Sequence, residues 1–220
     1  MAAYVHPYHP LGLELPGVQP LVMPFEKILA VFFTACGMAL AAGWYMTGRA
    51  KFLSTGERSM ACWFLCSGLI HLFVEGTVVL NSKFYQDTSG NILNEIWKEY
   101  SKADSRYATR DDFVISMEAV TAFIEGPGCL LIVWGLLKAK PWRYTAVLLV
   151  SLGQFYGDVL YFGTCLHGGM SRHTRPEFIY FWFYFIIVNG VWLVVPMACM
   201  IHAAKKINNA IAGTGEKKHA

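Results

Sequence analysis

Residues 59–80 read SMACWFLCSGLIHLFVEGTVVL, an apolar run whose only readily charged side chains are His71 and Glu75. Roughly 20 residues at a rise of about 1.5 Å cross the hydrocarbon core of a bilayer, so the run predicts a membrane-spanning helix. At positions i and i+4 the two polar side chains share one face of that helix. Ionisable groups at such depth are costly unless they face a protein interior, where they mark a functional site. Chemistry inside the membrane is the reading this run favours.

Working outward, four further apolar segments accompany it, so that the expected spans are Ile28–Gly48, Ser59–Leu80, Phe113–Leu137, Tyr144–Leu166 and Phe178–His202. With 55% hydrophobic residues, 15% charged and a mean hydropathy of +0.39, the composition is that of an integral membrane protein. The predicted fold class is all-α, a polytopic five-transmembrane-helix bundle. The first segment is too long for the apolar part of a secretory signal and lacks a small-residue cleavage site. The expected organisation is an N-terminal segment at residues 1–27, a five-helix domain at 28–202 with a long loop at 81–112, and a basic tail at 203–220. No internal repeat is evident.

An odd number of spans puts the termini on opposite sides. Arg49, Lys51, Arg58, Lys138, Lys140, Arg143, Lys205, Lys206, Lys217 and Lys218 then share one side, and the loop Asn81–Asp112 mixes its bases with many acids on the other. The positive-inside rule assigns the more basic side to the cytosol, giving a lumenal N-terminus and a cytosolic C-terminus. Lys217 and Lys218, four and three places from the end, match a dilysine retrieval signal of endoplasmic reticulum membrane proteins. The six cysteines form no C-x-x-C pair and read as small buried hydrophobes.

The third span carries Glu118, Thr121 and Glu125 at i, i+3 and i+7, followed by Gly126-Pro127-Gly128, where proline is expected to kink the helix. The fourth carries Gln154 and Asp158, and the fifth an aromatic run, Tyr180 to Tyr184, then Asn189 and Trp192. Each has a bland alternative. Gln154 and Asn189 read first as interhelical glue. Asp158 reads as a partner of Gln154 or Arg143, or as an interfacial residue. The aromatic run reads as lipid contact, and the loop residues Trp97–Tyr100 and Asp104–Tyr107 either as a short amphipathic helix capping the pocket or, by default, as a salt-bridged surface segment. No nucleotide loop, nucleophile elbow, metal-binding helix or dinucleotide fingerprint is present. Acid–base chemistry on a lipid, which needs no cofactor and no metal, remains, and no nucleic-acid partner is expected.

Taken in order, Gly68-Leu-Ile-His71-Leu-Phe-Val-Glu75-Gly76, Trp97-Lys-Glu-Tyr100, Asp104-Ser-Arg-Tyr107, Met117-Glu118, Thr121, Gly126-Pro127 and Gly153-Gln154-Phe-Tyr156-Gly157-Asp158-Val-Leu-Tyr161 resemble the emopamil-binding protein family. Tyr180-Phe-Trp-Phe-Tyr184 and Asn189-Gly-Val-Trp192 extend the match to the fifth span. The resemblance implies an endoplasmic reticulum enzyme, a 3-beta-hydroxysteroid Δ8,Δ7-isomerase of sterol biosynthesis. The family's reaction protonates C9 of a Δ8 sterol, passes through a cation at C8 and removes a proton from C7. Carried onto this chain, it implies His71, Glu75 and Glu118 as proton-transfer and cation-stabilising groups, with Thr121, Asn189 and Trp192 binding the substrate. Glu125 departs from the aromatic residue of animal members. Lipophilic amines, which imitate the cation, are expected inhibitors, membrane lipid the surroundings, and small residues on membrane faces leave room for a homodimer. The alternative is a non-catalytic sterol- or amine-binding protein of the same superfamily.

Overall fold

The computed structural model describes residues 5–169 and 172–216, with side chains to residue 213. Lys217 and Lys218, the expected retrieval signal, lie outside the described residues. Five helices are long and apolar enough to cross a membrane: Phe25–Gly48, Thr55–Leu80, Asp112–Leu137, Arg143–Gly168 and Ile179–Gly213. Each expected span is present, with ends moved by about a turn or less except in the fifth, which runs well past His202. No strand occurs among the described residues.

Local chemistry sets the helix ends. Ser54 and Glu57 form a reciprocal capping box at the start of the second span, the Ser54 amide donating to Glu57 Oε2 at 2.7 Å. Arg110, itself left-handed, closes that span's other end by donating to the Val78 and Val79 carbonyls. Asp111 caps the third span through the Val114 amide at 3.0 Å.

Three of the spans contain π-helical turns, at Ile70–Glu75, Thr121–Glu125 and Ile179–Val188. The second of these ends where Gly126-Pro127 begins the next α-helical stretch. Proline cannot donate to the preceding turn and its ring clashes with it, so the expected kink takes the form of a widened turn just upstream.

Two apolar clusters occupy opposite ends of the bundle. One gathers Val78, Phe84, Trp97, Tyr107, Val114, Tyr161 and Phe185; the other gathers Met60, Phe64, Ile132, Leu136, Val147 and Cys199. The polar residues of the spans fall between them in sequence and in space. Close approach of the second and third spans depends on glycine: a Cβ at Gly68 would stand 2.9 Å from Cys129 Cβ, and one at Gly126 would stand 3.2 Å from His71 Cβ. The six cysteines are free, five of them buried, as small hydrophobes.

The loop after the second span overturns its default reading. Its helices Ile92–Tyr100 and Arg106–Thr109 are buried against the bundle, not laid on a surface. Lys98, 1% exposed, donates to Glu95 at 2.6 Å and to the Asp87 and Pro20 carbonyls, while Glu95 Oε2 accepts from the Val22 and Met23 amides. The N-terminal segment is thereby tied to the loop. Arg106 and Asp104 pair at 2.7 Å, Arg106 also reaches Thr164, and the Tyr161 hydroxyl donates to Asp104 at 2.7 Å. Burial alone would lower the Arg106 pKa; the Asp104 carboxylate outweighs it and holds the guanidinium above its ordinary value.

Removing one partner from a buried ion pair strands the other charge, whereas an exposed pair contributes little. Asp104→Ala is therefore expected to cost about 3–5 kcal/mol of stability. Glu177→Ala, which breaks the half-exposed pair with Arg175, should cost less than about 1 kcal/mol. Thermal unfolding of both variants in detergent micelles checks the contrast.

Candidate active site

Between the two apolar clusters lies an open cavity, the concave and mostly apolar kind of site that small molecules occupy. All five spans and the loop helix Ile92–Tyr100 line it, and its wall is mostly apolar. Ile28, Leu29, Phe32 and Phe33 of the first span form one flank. Phe33 is half exposed.

The polar groups converge from four elements. His71 is 1% exposed, and its Nδ1 lies 2.6 Å from Glu75 Oε2. Its Nε2 lies 3.0 Å from Ser67 Oγ and 2.9 Å from the Gln154 amide nitrogen. An amide NH₂ can only donate, so Nε2 is the acceptor and Nδ1 carries the proton that points at Glu75. The imidazole is thus fixed in tautomer and orientation by three side chains from two spans.

Glu118 is 5% exposed and accepts from Tyr107 at 2.8 Å. Burial, then the Glu118 charge, pushes the Tyr107 phenol well above its ordinary pKa, so it remains a proton-bearing donor. Thr121 Oγ1 donates to the Glu118 carbonyl at 2.9 Å and reaches Oε2 at 3.3 Å. Glu118 also meets Glu75 side chain to side chain across the second and third spans. Trp192 stands edge-on to His71 with ring centroids 6.3 Å apart. Asn189 accepts from the Tyr100 hydroxyl at 2.8 Å and donates to the Tyr184 and Phe185 carbonyls. It touches the loop helix and its own span, not a carboxyl group. All six sequence-predicted site residues line the one cavity.

Other side chains join them that sequence reasoning had placed elsewhere. Gln154, read as glue, bridges Ser67 at 2.9 Å and His71. Tyr100 and Tyr107, read as surface loop, roof the cavity, and Tyr184 of the supposedly lipid-facing aromatic run is buried beside Tyr100. Asp158 pairs with neither Gln154 nor Arg143: its Oδ2 is buried without a partner and it lines the cavity. A signal for Gln154 existed, since it stands at i,i+4 from Asp158 in an apolar span. For the roofing tyrosines the reading of the loop as an amphipathic helix capping the pocket, set second to the surface segment, is the one the structure bears out.

Replacing Gln154 by Leu removes the donor that Ser67 and His71 share. We expect a loss of about 1–3 kcal/mol from the unsatisfied buried groups. The ¹⁵N shift of His71 Nε2 should also change, because the tautomer is no longer held. Unchanged nitrogen shifts in the folded variant would show that Gln154 does not orient the imidazole.

The family model described as EXPERA (EXPanded EBP superfamily) matches residues 92–203. The chain is 41% identical to the 3-beta-hydroxysteroid-Delta(8),Delta(7)-isomerase of Mus musculus, over 94% of this chain and 90% of that one. It is 39% identical to a probable enzyme of the same name from Oryza sativa subsp. japonica, over 94% of each chain. Similarity extends to a protoglabretal synthase of Ailanthus altissima, 36% identical over 97% of both. With the family model matching half the chain and such relatives matching nearly all of it, this protein belongs to the EBP family, the emopamil-binding protein family that its motifs resemble.

Proposed function

We propose that this protein is a 3-beta-hydroxysteroid Δ8,Δ7-isomerase, moving the C8=C9 double bond of a sterol to C7=C8 within the membrane. The observation that carries the reading is the constellation of His71, Glu75 and Glu118 in one apolar cavity, which unites an acid, a base and negative charge around a space for a lipid. The isomerase names of relatives aligned over nearly the whole chain support it.

An unactivated alkene is a weak base and accepts a proton only from a well-placed acid, with the resulting cation stabilised. The His71–Glu75 pair delivers a proton to C9, and positive charge develops at C8. Glu118 faces that charge, stabilises it and takes the proton from C7, whose C–H electrons form the new double bond. The indole of Trp192 adds cation–π attraction. One proton enters the sterol and one leaves, so the site must return a proton from Glu118 to its starting place. The contact between Glu118 and Glu75 supplies the direct route. Thr121 and Tyr107 hold Glu118 in position, and Asn189 holds Tyr100 in the roof. The apolar side chain of the sterol leaves along the Ile28–Phe33 flank.

The same chemistry makes lipophilic amines ligands, since an ammonium beside Glu118, Glu75 and Trp192 imitates the cation. The proposal includes the domain layout, with residues 28–202 as the isomerase domain, residues 1–27 and the loop 81–112 on the lumenal side of the endoplasmic reticulum, and the tail 203–220 in the cytosol. The shared burial of the N-terminal segment and the loop supports placing both on one side. Glycosylation acceptors introduced into the 81–112 loop should be modified and those in the tail should not. Small residues on outer faces are compatible with a homodimer, which cross-linking in native membranes tests.

Expression in cells lacking their own sterol 8,7-isomerase should convert accumulated Δ8 sterols to Δ7 products, read by gas chromatography–mass spectrometry. His71→Ala and Glu118→Gln should each lower turnover by about 10²–10⁴-fold while still reaching the membrane. A well-localised wild-type protein that binds sterol but yields no Δ7 product would instead make it a ligand-binding relative. Trp192→Ala should weaken a lipophilic amine inhibitor by roughly tenfold, the scale of a desolvated cation–π contact.

A further inference from the structure

Glu125 is the carboxyl group that the proton-transfer scheme leaves unused. It is 7% exposed, lines the cavity, and its Oε2 is buried without a hydrogen-bond partner. The fold makes room for it: a Cβ at Gly153 would fall 2.3 Å from Glu125 Oε1, so the carboxyl sits in a notch that only glycine leaves open. Two more polar atoms of residues lining the same cavity, Gln154 Oε1 and Trp192 Nε1, are buried without a partner. An unpaired buried carboxyl is costly, and a cavity that keeps one is shaped for a ligand that donates to it.

Spacing identifies the donor. Glu118 and Glu125 are seven residues apart, about 10 Å along the span at a rise of about 1.5 Å. A reacting carbon in contact with Glu118 stands roughly 3–3.5 Å from it. Two fused six-membered rings with bonds of about 1.5 Å then carry a 3-hydroxyl oxygen about 6–7 Å further. The two distances together are on the order of the offset of the two residues along the span. Asp158, the other carboxyl with an unpartnered oxygen, follows Gly157, where a Cβ would meet Met117, so it stands at the level of Glu118 and not of Glu125. We propose that Glu125 accepts a hydrogen bond from the 3-hydroxyl group of the sterol and sets the register of its rings against His71, Glu75 and Glu118. This assignment rests on the isomerase reading.

The test is a cycle between protein and substrate, using 5α-cholest-8-en-3β-ol and its 3-deoxy analogue, 5α-cholest-8-ene, with purified protein in detergent–sterol micelles. For the wild type, loss of the hydroxyl should raise KM by about 10–100-fold, the scale of a hydrogen bond to a charged acceptor. Glu125→Leu, of similar volume, should raise KM for the hydroxylated sterol by a comparable factor and turn over both sterols alike. A Glu125→Leu protein that keeps the wild-type preference for the hydroxylated sterol overturns the proposal. So does a wild type indifferent to the hydroxyl, which requires no variant to fold. A wild type that isomerises neither sterol is a different failure, that of the isomerase reading itself.

Discussion

Ionisable side chains buried among apolar helices are costly unless each finds a partner, and this constraint organises the molecule. At the mouth of the bundle, Lys98 with Glu95 and Arg106 with Asp104 are almost fully buried and hydrogen-bonded beyond their own pairing. Their partners belong to the N-terminal segment and the fourth span, so satisfying the charges also fastens the roof over the cavity. Such networks add little net stability compared with apolar packing, but they admit few alternative arrangements. The roof is held in one place because the charges have nowhere else to go.

Deeper in the bundle the same constraint acts with a different outcome. His71 and Glu75 satisfy one another, Ser67 and Gln154 brace the imidazole, and Tyr107 and Thr121 brace Glu118. Other polar atoms there, including those of Glu125, Asp158 and Trp192, remain unpartnered. Apolar clusters lie above and below this layer, and apolar surroundings strengthen each electrostatic interaction inside it. The contrast between a roof whose buried charges are all in ion pairs and a chamber that keeps carboxyl groups outside any ion pair separates the part of the protein that holds shape from the part that receives a ligand.

The widened turns link the two. A π-helical turn adds a residue to one turn of helix and rotates everything beyond it. In the third span it turns Glu125 away from the stripe of Glu118 and into the Gly153 notch, and in the second span it accompanies the close His71–Glu75 contact. Gly68 and Gly126 then let these two irregular segments approach closely enough for Glu75 to meet Glu118. Regular helices would have packed without such a chamber between them.

The sequence by itself determined the five spans, because about 20 apolar residues in succession have no other inexpensive conformation in a lipid-like environment. It also marked His71 with Glu75, and Glu118 with Thr121, since helical periodicity alone puts each pair on one face. What it could not decide were contacts between elements far apart along the chain. Gln154 orienting His71, Tyr107 donating to Glu118, the burial of the Trp97–Tyr107 loop and the unpaired state of Asp158 all depend on how the spans rotate about their axes. That rotation is set by π turns and glycine contacts, whose energies are too small and too cooperative to read from composition or period. Hydropathy is a property of a segment, whereas a hydrogen bond between segments is a property of their packing, and only the tertiary structure decides it.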